Sequence, residues 1–238
     1  MTLAERLARS SVLVVGAGGL GSPAALALAA SGVGRIGLVD EDRVDLSNLT
    51  RQILHRTADL GRAKVDSGVE RLGALAPGVR VEAHRTRLGP AEAPSLVAGY
   101  DVVVDGSDNL DTKLLMNEAC LQEGKPLVLG AILRFFGQVL TVVPGKTACA
   151  RCLYGGDGGA VLASCGRAGV LGAVAGFIGM AQAAEALRLL AGRPPAWADR
   201  LLTADLWRNR MGTAPLRPDP FCETCGAGAA KAARLVIP

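Results

Sequence analysis

The chain has 238 residues, 50% apolar and 20% charged, with a formal net charge of +4. This length and balance fit a compact α/β fold with a sizeable core and exclude a disordered chain. The charge is mild and interspersed, and aromatic residues are only 3%; both argue against nucleic acid as a partner, though a basic patch can still face an acidic one.

Leu3 to Arg9 reads as a short amphipathic helix leading directly into the first strand. Met1 to Ser10 shows no apolar h-region, so the expectation is a cytoplasmic protein. Val12 to Val15 is a continuous apolar run, as in a buried parallel strand. Gly16, Gly18 and Gly21 then form GxGxxG, with Gly19 as an extra glycine. Ser22 and Pro23 open an Ala/Leu helix, and Ile36 to Val39 forms a second strand that stops at Asp40. Glycines let backbone N–H groups approach a phosphate at a helix N-terminus, and an acid about 20 residues on can hold a ribose hydroxyl. The stretch points to a nucleotide without saying which one.

Residues 41–64 are polar and loop-like, carrying Arg43, Asn48, Arg51, Gln52, Arg62 and Lys64. Lys64 to Leu75 has helical spacing, ended by Pro77-Gly78; Val79 to Ala83 alternates like a strand; Ala91 to Ala98 reads as a helix. Tyr100 to Asp105 reads as a third buried strand, ending in the turn DGSDN, at the strand edge where open α/β sheets bind ligands. Thr112 to Glu123 reads as a helix stopped by Gly124. Leu127 to Leu129 and Gln138 to Val143 read as strands, with Phe135, Phe136 and Gly137 between them. Residues 145–170 look like an excursion from the core, Leu171 to Leu190 like a long helix, and Leu201 to Trp207 like a strand; the remainder reads as turns. Ala168 to Ala184 is Gly/Ala-rich and nearly free of polar side chains, but Gln182 and Glu185 lie at its end. A buried helix packed through small residues is expected there, not a membrane span.

Six cysteines are present, four of them in two CxxC pairs, Cys149/Cys152 and Cys222/Cys225. Two residues between thiolates let both sulfurs bind one tetrahedral Zn²⁺, and a second pair completes a closed site. The competing readings are disulfides, disfavoured without a secretory signal, and a redox CxxC, which needs no twin. The expectation is structural zinc clipping the C-terminal region to a mid-chain loop. Cys120 reads as a buried packing residue. Cys165, ahead of the long helix and near Arg167, is either a reactive thiolate or an unused loop thiol. His55 and His84 read as structural.

Two enzyme classes compete for these pieces, with a zinc-stabilised, non-catalytic nucleotide-binding scaffold as a third reading. A nicotinamide-dependent oxidoreductase leaves the basic cluster after Asp40 without a purpose. A nucleotidyltransferase uses it: Arg51 and Lys64 neutralise a triphosphate under attack at its α-phosphorus, and Asp108 holds Mg²⁺ against the phosphates.

The segments GAGGLG at 16–21, DEDRVDLSNLTRQ at 40–52, GRAK at 61–64, DGSDN at 105–109, CARC at 149–152, SCGRAGVLG at 164–172 and FCETCG at 221–226 resemble the ThiF/MoeB/HesA family, itself similar to ubiquitin-activating enzymes. The resemblance implies a single Rossmann-like α/β domain with a mostly parallel sheet, helices on both faces and a zinc-clipped C-terminal region. Its nucleotide-binding half would be about 1–130 and its zinc and carrier-binding half about 131–238. It implies ATP-dependent adenylation of the C-terminal glycine carboxylate of a small ubiquitin-like sulfur-carrier protein ending in Gly-Gly, for thiamine or molybdopterin-type sulfur transfer. ATP, Mg²⁺ and Zn²⁺ are the implied cofactors. Partners would be the carrier, a second copy in a homodimer, and a sulfurtransferase or cysteine desulfurase, with neither nucleic acid nor membrane. By resemblance, Gly16, Gly18, Gly19 and Gly21 form the phosphate turn, Asp40 matches the ribose acid, and Asp42 is a further nucleotide-binding residue. Asn48, Arg51 and Gln52 match phosphate contacts, Lys64 the lysine reaching the triphosphate, and Asp108 the Mg²⁺-linked aspartate, with Asn109 beside it. Cys149, Cys152, Cys222 and Cys225 match the zinc ligands, and Cys165 a cysteine that bonds the carrier or relays sulfur. Family members begin with an arm containing an R-Y-x-R-Q-like segment, which supplies an arginine to the partner subunit's ATP site. This sequence starts past that arm, which implies another source of positive charge or a non-catalytic scaffold.

Overall fold

The computed structural model describes residues 1–155 and 169–226. Its helices are α1 (Leu3–Ala8), α2 (Gly21–Ala30), α3 (Lys64–Leu75), α4 (Ala93–Ala98), α5 (Leu110–Gln122), α6 (Ala150–Tyr154) and α7 (Gly172–Leu190). Its strands are β1 (Ser11–Val15), β2 (Arg35–Val39), β3 (Arg80–His84), β4 (Val102–Asp105), β5 (Leu127–Leu133), β6 (Phe136–Val142), β7 (Arg200–Asp205) and β8 (Arg210–Pro215). They form one sheet in the order β3-β2-β1-β4-β5-β6-β7-β8. The first five strands pair in parallel, as in a Rossmann half, and the last three add on as an antiparallel meander. The chain runs outward from β1 to β3, then returns to β4 on the other side of β1. The carboxyl ends of β1 and β4 therefore flank the switch point, where such sheets leave a crevice.

Alternation along β1 divides the core. Val12 and Val14 point into a cluster with Leu28 of α2, Leu72 of α3 and Ile178 of α7. Leu13 and Val15 point into a second cluster with Val97 of α4 and Met116 and Cys120 of α5. Both faces of a parallel sheet are thus covered, which is why β1 reads as an unbroken apolar run. Each Val, Leu or Ile buried this way stabilises by about 1.5–3 kcal/mol. α1 docks through Leu7 and starts with a capping box: the Glu5 amide donates to Thr2 Oγ1, and the Thr2 amide donates to Glu5 Oε2.

α7 has 19 residues and a mean hydropathy of 1.3, enough by length and composition alone to span a membrane. It lies instead against the sheet. A Cβ on Gly179 would come within 2.4 Å of the Leu20 carbonyl oxygen, so α2 and α7 approach closely because this residue is glycine. Gln182 and Glu185 are buried and tied to the sheet: Gln182 Nε2 donates to the Asp105 and Val128 carbonyls, and Glu185 Oε1 accepts from Thr141 Oγ1 and the Ala196 amide. A buried amide and carboxylate bonded to sheet residues mark a core helix.

Several boundaries depart from the sequence reading. Lys64 to Leu75 matches α3, and Cys120 is fully buried. β5 runs on to Leu133, and β6 already begins at Phe136, so Phe136 and Gly137 pair in the ladder and the turn shrinks to Arg134-Phe135, with Arg134 at φ +53°. The segment after Trp207 is not all turn. β8 forms there with every residue exposed, so no apolar alternation announces it; backbone pairing with β7 makes the strand. β7 stops at Asp205, whose side chain accepts from the Trp207 and Arg208 amides and turns the chain. The 145–170 segment includes the short helix α6, placed where the Ala150 amide meets Asn117 Oδ1 of α5.

Candidate active site and cysteine cluster

β1 delivers the chain at Val15 into Gly16, whose φ of +88° lies in the left-handed region that favours glycine. A Cβ on Gly21 would sit 1.7 Å from the Gly16 carbonyl oxygen, so the turn closes only with glycine there. Gly18 and Gly19 differ, since a Cβ on either would make only ordinary contacts at 3.5 Å. Gly18 and Gly19 both border the cavity described below. Two glycines build the turn and two keep its surface open.

The turn is held from behind. Asp40 Oδ2 accepts the Ala17 amide at 2.8 Å, and its Oδ1 accepts the Asp42 amide at 2.9 Å. His55 is buried, as expected of a structural histidine, and its Nε2 lies 2.9 Å from the Ala17 carbonyl oxygen. A carbonyl can only accept, so Nε2 carries the proton and Nδ1 accepts from Ser67 Oγ at 2.9 Å. Burial lowers the His55 pKa below 6.5, and the positive charge of Lys64 adds to this against the bond to Ala17. The folded state therefore holds the neutral ring, while the unfolded chain takes up a proton as pH falls below about 6.5. Stability from this site is full above that pH and is lost as pH falls through the depressed folded value. The melting temperature is expected to drop less between pH 7 and 5 in His55→Gln than in the wild type; equal slopes would remove His55 from this account. His84 is half-buried, with Nε2 3.0 Å from the Tyr100 hydroxyl, at the β3 side of the sheet.

In front of the turn is a cavity of about 200 Å³. Gly16, Gly18, Gly19, Asp40, Asp42, Arg51, Gln52, Lys64 and Asp108 all line it. Residues 41–64 fold back to supply four of them, Asp42, Arg51, Gln52 and Lys64. Asp45 caps the short 3₁₀ turn Leu46–Asn48, and Asn48 Oδ1 accepts from Arg51 Nη2 at 2.7 Å, aiming the guanidinium. An antiparallel bridge, Arg43 to Ala63, brings Lys64 back beside Asp42. Lys64 Nζ lies 2.8 Å from Asp42 Oδ2 and 3.8 Å from Asp40 Oδ2, with only 5% of its side chain exposed. Asp108 is exposed at the carboxyl end of β4 and belongs to no ion pair among the described residues.

Three expected site residues are not among the lining. Gly21 packs under the turn, Asn48 orients Arg51, and Asn109 caps α5 by accepting the Thr112 amide at 2.8 Å. The sequence reading missed Ser107 and Lys113, which do line the cavity. The available signal for Lys113 was a lysine beside the apolar run Leu114 to Met116 of a helix facing the core. Gln52 Oε1 and Ser107 Oγ are buried and have no partner among the described residues. Both border the cavity, so a polar ligand there would satisfy them. Cys165 lies outside the described residues.

The four CxxC cysteines converge on the opposite face from α7. Their Sγ atoms all lie within 4.8 Å of one another. Cys149 to Cys152 is 3.9 Å, Cys149 to Cys222 is 3.7 Å and Cys152 to Cys225 is 3.4 Å. Four sulfurs at about 2.3 Å from a tetrahedral ion stand about 3.8 Å apart, so the cluster fits a metal. All four are free thiols here, at separations well beyond the about 2.05 Å of a disulfide. The Asp219 amide donates to Cys152 Sγ at 3.4 Å, a contact of the type that orients metal ligands. Burial, joined by the neighbouring Cys152 and Cys222, pushes the Cys149 thiol up to about 11. Burial acts the same way on Cys222, but amides of Cys225 and Thr224 overcome it and lower that thiol.

Comparison with known proteins finds relatives along most of the chain. The SAMP-activating enzyme E1 of Haloferax volcanii is 45% identical over 225 residues, covering 94% of this chain and 83% of that protein. The sulfur carrier protein adenylyltransferase of Thermus thermophilus is 45% identical over 229 residues, covering 93% and 84%. The adenylyltransferase and sulfurtransferase MOCS3 of Sus scrofa is 45% identical over 223 residues, and there the chain spans about half of its relative, 49%. The crystal structure of Escherichia coli MccB with ATP superposes with a TM-score of 0.83 at 22% identity, over 94% of this chain and 68% of that one, a likeness of fold. The ThiF family model matches residues 2–224, and with the glycine turn, the charged cavity and the four-cysteine cluster in place, the chain belongs to the ThiF family.

Proposed function

We propose that this chain adenylates the C-terminal glycine carboxylate of a small ubiquitin-like sulfur-carrier protein, with ATP as the co-substrate. One observation carries the reading: Asp40, Arg51, Lys64 and Asp108, from separate segments, surround one glycine turn. A hydride-transfer site needs no such cluster, whereas a triphosphate does. In this reading the phosphates lie against Gly18 and Gly19, where the surface is open, and a ribose hydroxyl donates to Asp40. Arg51, aimed by Asn48, and Lys64 neutralise the triphosphate. Gln52 and Ser107 gain partners for their orphaned oxygens. Asp108, free of ion pairs among the described residues, is the residue to hold Mg²⁺, with Asp42 at the cavity rim and Asn109 fixing the start of α5. Mg²⁺ there would screen the phosphate oxygens.

The carrier's carboxylate oxygen forms a bond to the α-phosphorus, and the bond from that phosphorus to its bridging oxygen breaks. Pyrophosphate leaves with the electron pair, and an acyl-adenylate remains. Arg51 and Lys64 meet the charge that builds on the leaving group. Zn²⁺ occupies the four-cysteine cluster as a closed structural site. The enzyme works as a cytoplasmic homodimer, with a sulfurtransferase or cysteine desulfurase as the partner that supplies sulfur to the activated carrier.

The test is ATP–pyrophosphate exchange with candidate carriers ending in Gly-Gly. Exchange that requires both the carrier and Mg²⁺ supports the reading; tight NADH binding with no affinity for ATP overturns it. Cys165 belongs to the step after activation. Cys165→Ala is therefore expected to keep exchange within about twofold of wild type. Loss of exchange in that variant, with the fold intact, would contradict the assignment.

A further inference from the structure

Lys113 lies at the floor of the cavity with 2% of its side chain exposed. An ammonium has three donors, and here each has an acceptor: Asp105 Oδ2 at 3.1 Å, the Ser107 carbonyl at 2.7 Å and the Gly130 carbonyl at 2.7 Å. No donor remains for a phosphate, so Lys113 differs in kind from Arg51 and Lys64. What it grips is the turn after β4. The Ser107 carbonyl bonds to Lys113 Nζ, and the Ser107 amide donates to Asp105 Oδ1 at 3.0 Å. Both ends of this residue's backbone are tied to the same buried ion pair. The Ser107 carbonyl shares one planar peptide unit with the Asp108 amide, so fixing the carbonyl fixes where the Asp108 side chain leaves the turn. The root of the turn is anchored as well, because Gln182 of α7 donates to the Asp105 and Val128 carbonyls.

A buried ion pair is a weak device for stability, since well-packed apolar residues of similar volume often serve as well or better. Its geometric effect is specific: it joins β4, β5 and α5 at the point from which Asp108 projects. We infer that Lys113 is a positioning residue for nucleotide activation, holding the Ser107–Asp108 peptide through the Asp105 pair so that Asp108 meets the metal-bound phosphates. The inference rests on the adenylation reading above.

Lys113→Met alone leaves the Asp105 carboxylate buried without a cation and is expected to fold poorly. The informative variant is Asp105→Asn with Lys113→Met, which removes both charges together. It is expected to fold, bind zinc like the wild type and keep its KM for ATP within about threefold, while kcat for exchange falls about 10²-fold and half-maximal exchange needs about tenfold more Mg²⁺. Lys113→Arg, which keeps the charge and the donors, is expected to restore most of kcat and the normal Mg²⁺ requirement. A folded double variant with wild-type kcat and Mg²⁺ dependence overturns the inference. A double variant that does not fold makes the pair structural and overturns it too. Absence of exchange in the wild type, with every carrier tested, defeats the adenylation reading itself, an outcome separate from both.

Discussion

Asp108→Ala is expected to lower ATP–pyrophosphate exchange by about 10³-fold or more while barely moving the melting temperature. The split follows from where the side chain sits. Asp108 is exposed at the end of β4, borders the cavity, and pairs with no cation among the described residues. Removing it therefore breaks no ion pair described in the fold and leaves no buried charge behind. What it removes is the carboxylate assigned to the metal beside the phosphates. Lys64→Ala should be as damaging to exchange but less clean, since it leaves Asp40 and Asp42 facing each other without the ammonium between them. Full exchange in a folded Asp108→Ala protein would end the role given to this residue.

Cys222→Ser is expected to cost the protein most of its zinc and about 10 °C of melting temperature. The wild type should carry one equivalent per chain. A metal present at 1,000 times its dissociation constant stabilises by about 4 kcal/mol, and about 1 kcal/mol moves the melting point of a chain this size by about 2–4 °C. The cluster ties the loop at Asp219 to Gly226 onto α6, and α6 onto α5 through Asn117 and the Arg151–Glu118 pair. Loss should loosen that face first, leaving the parallel strands and the cavity standing. The measurement is metal content beside a melting curve. A full equivalent of zinc with an unchanged curve would show that the cluster does not hold the fold together.

The parallel half of the sheet was legible because parallel strands are buried on both faces. Val12 to Val15 and Val102 to Asp105 could be seen as apolar runs ending in turn residues, although the second of these strands begins at Val102 and not at Tyr100 as expected. α3 could be delimited to the residue because its apolar spacing starts at Lys64 and a Pro-Gly break follows it. β8 could not be found this way. Its six residues are all exposed, and only backbone pairing with β7 defines it. The β5–β6 connection was read too wide, from 130 to 137, because Gly130 and Gly137 look like turn residues and Phe135 and Phe136 look alike in sequence. Of these only Phe135 sits in the turn, and the others pair in the ladder.

The residues alone carried the chemistry: a glycine turn with an acid beyond it, a run of basic and amide side chains, and two cysteine pairs of ligand spacing. Those are local patterns, and local patterns survive in one dimension. Packing alone could show that Lys64 is held between Asp40 and Asp42, that Asn48 aims Arg51 without lining the cavity, and that Lys113 secures the turn bearing Asp108. Lys64 meets Asp42 from 22 residues away across the Arg43–Ala63 bridge, and Lys113 meets the Gly130 carbonyl from 17 residues away across a strand. Asn48 and Arg51 are near in sequence, and only the folded loop shows that one aims the other into the cavity.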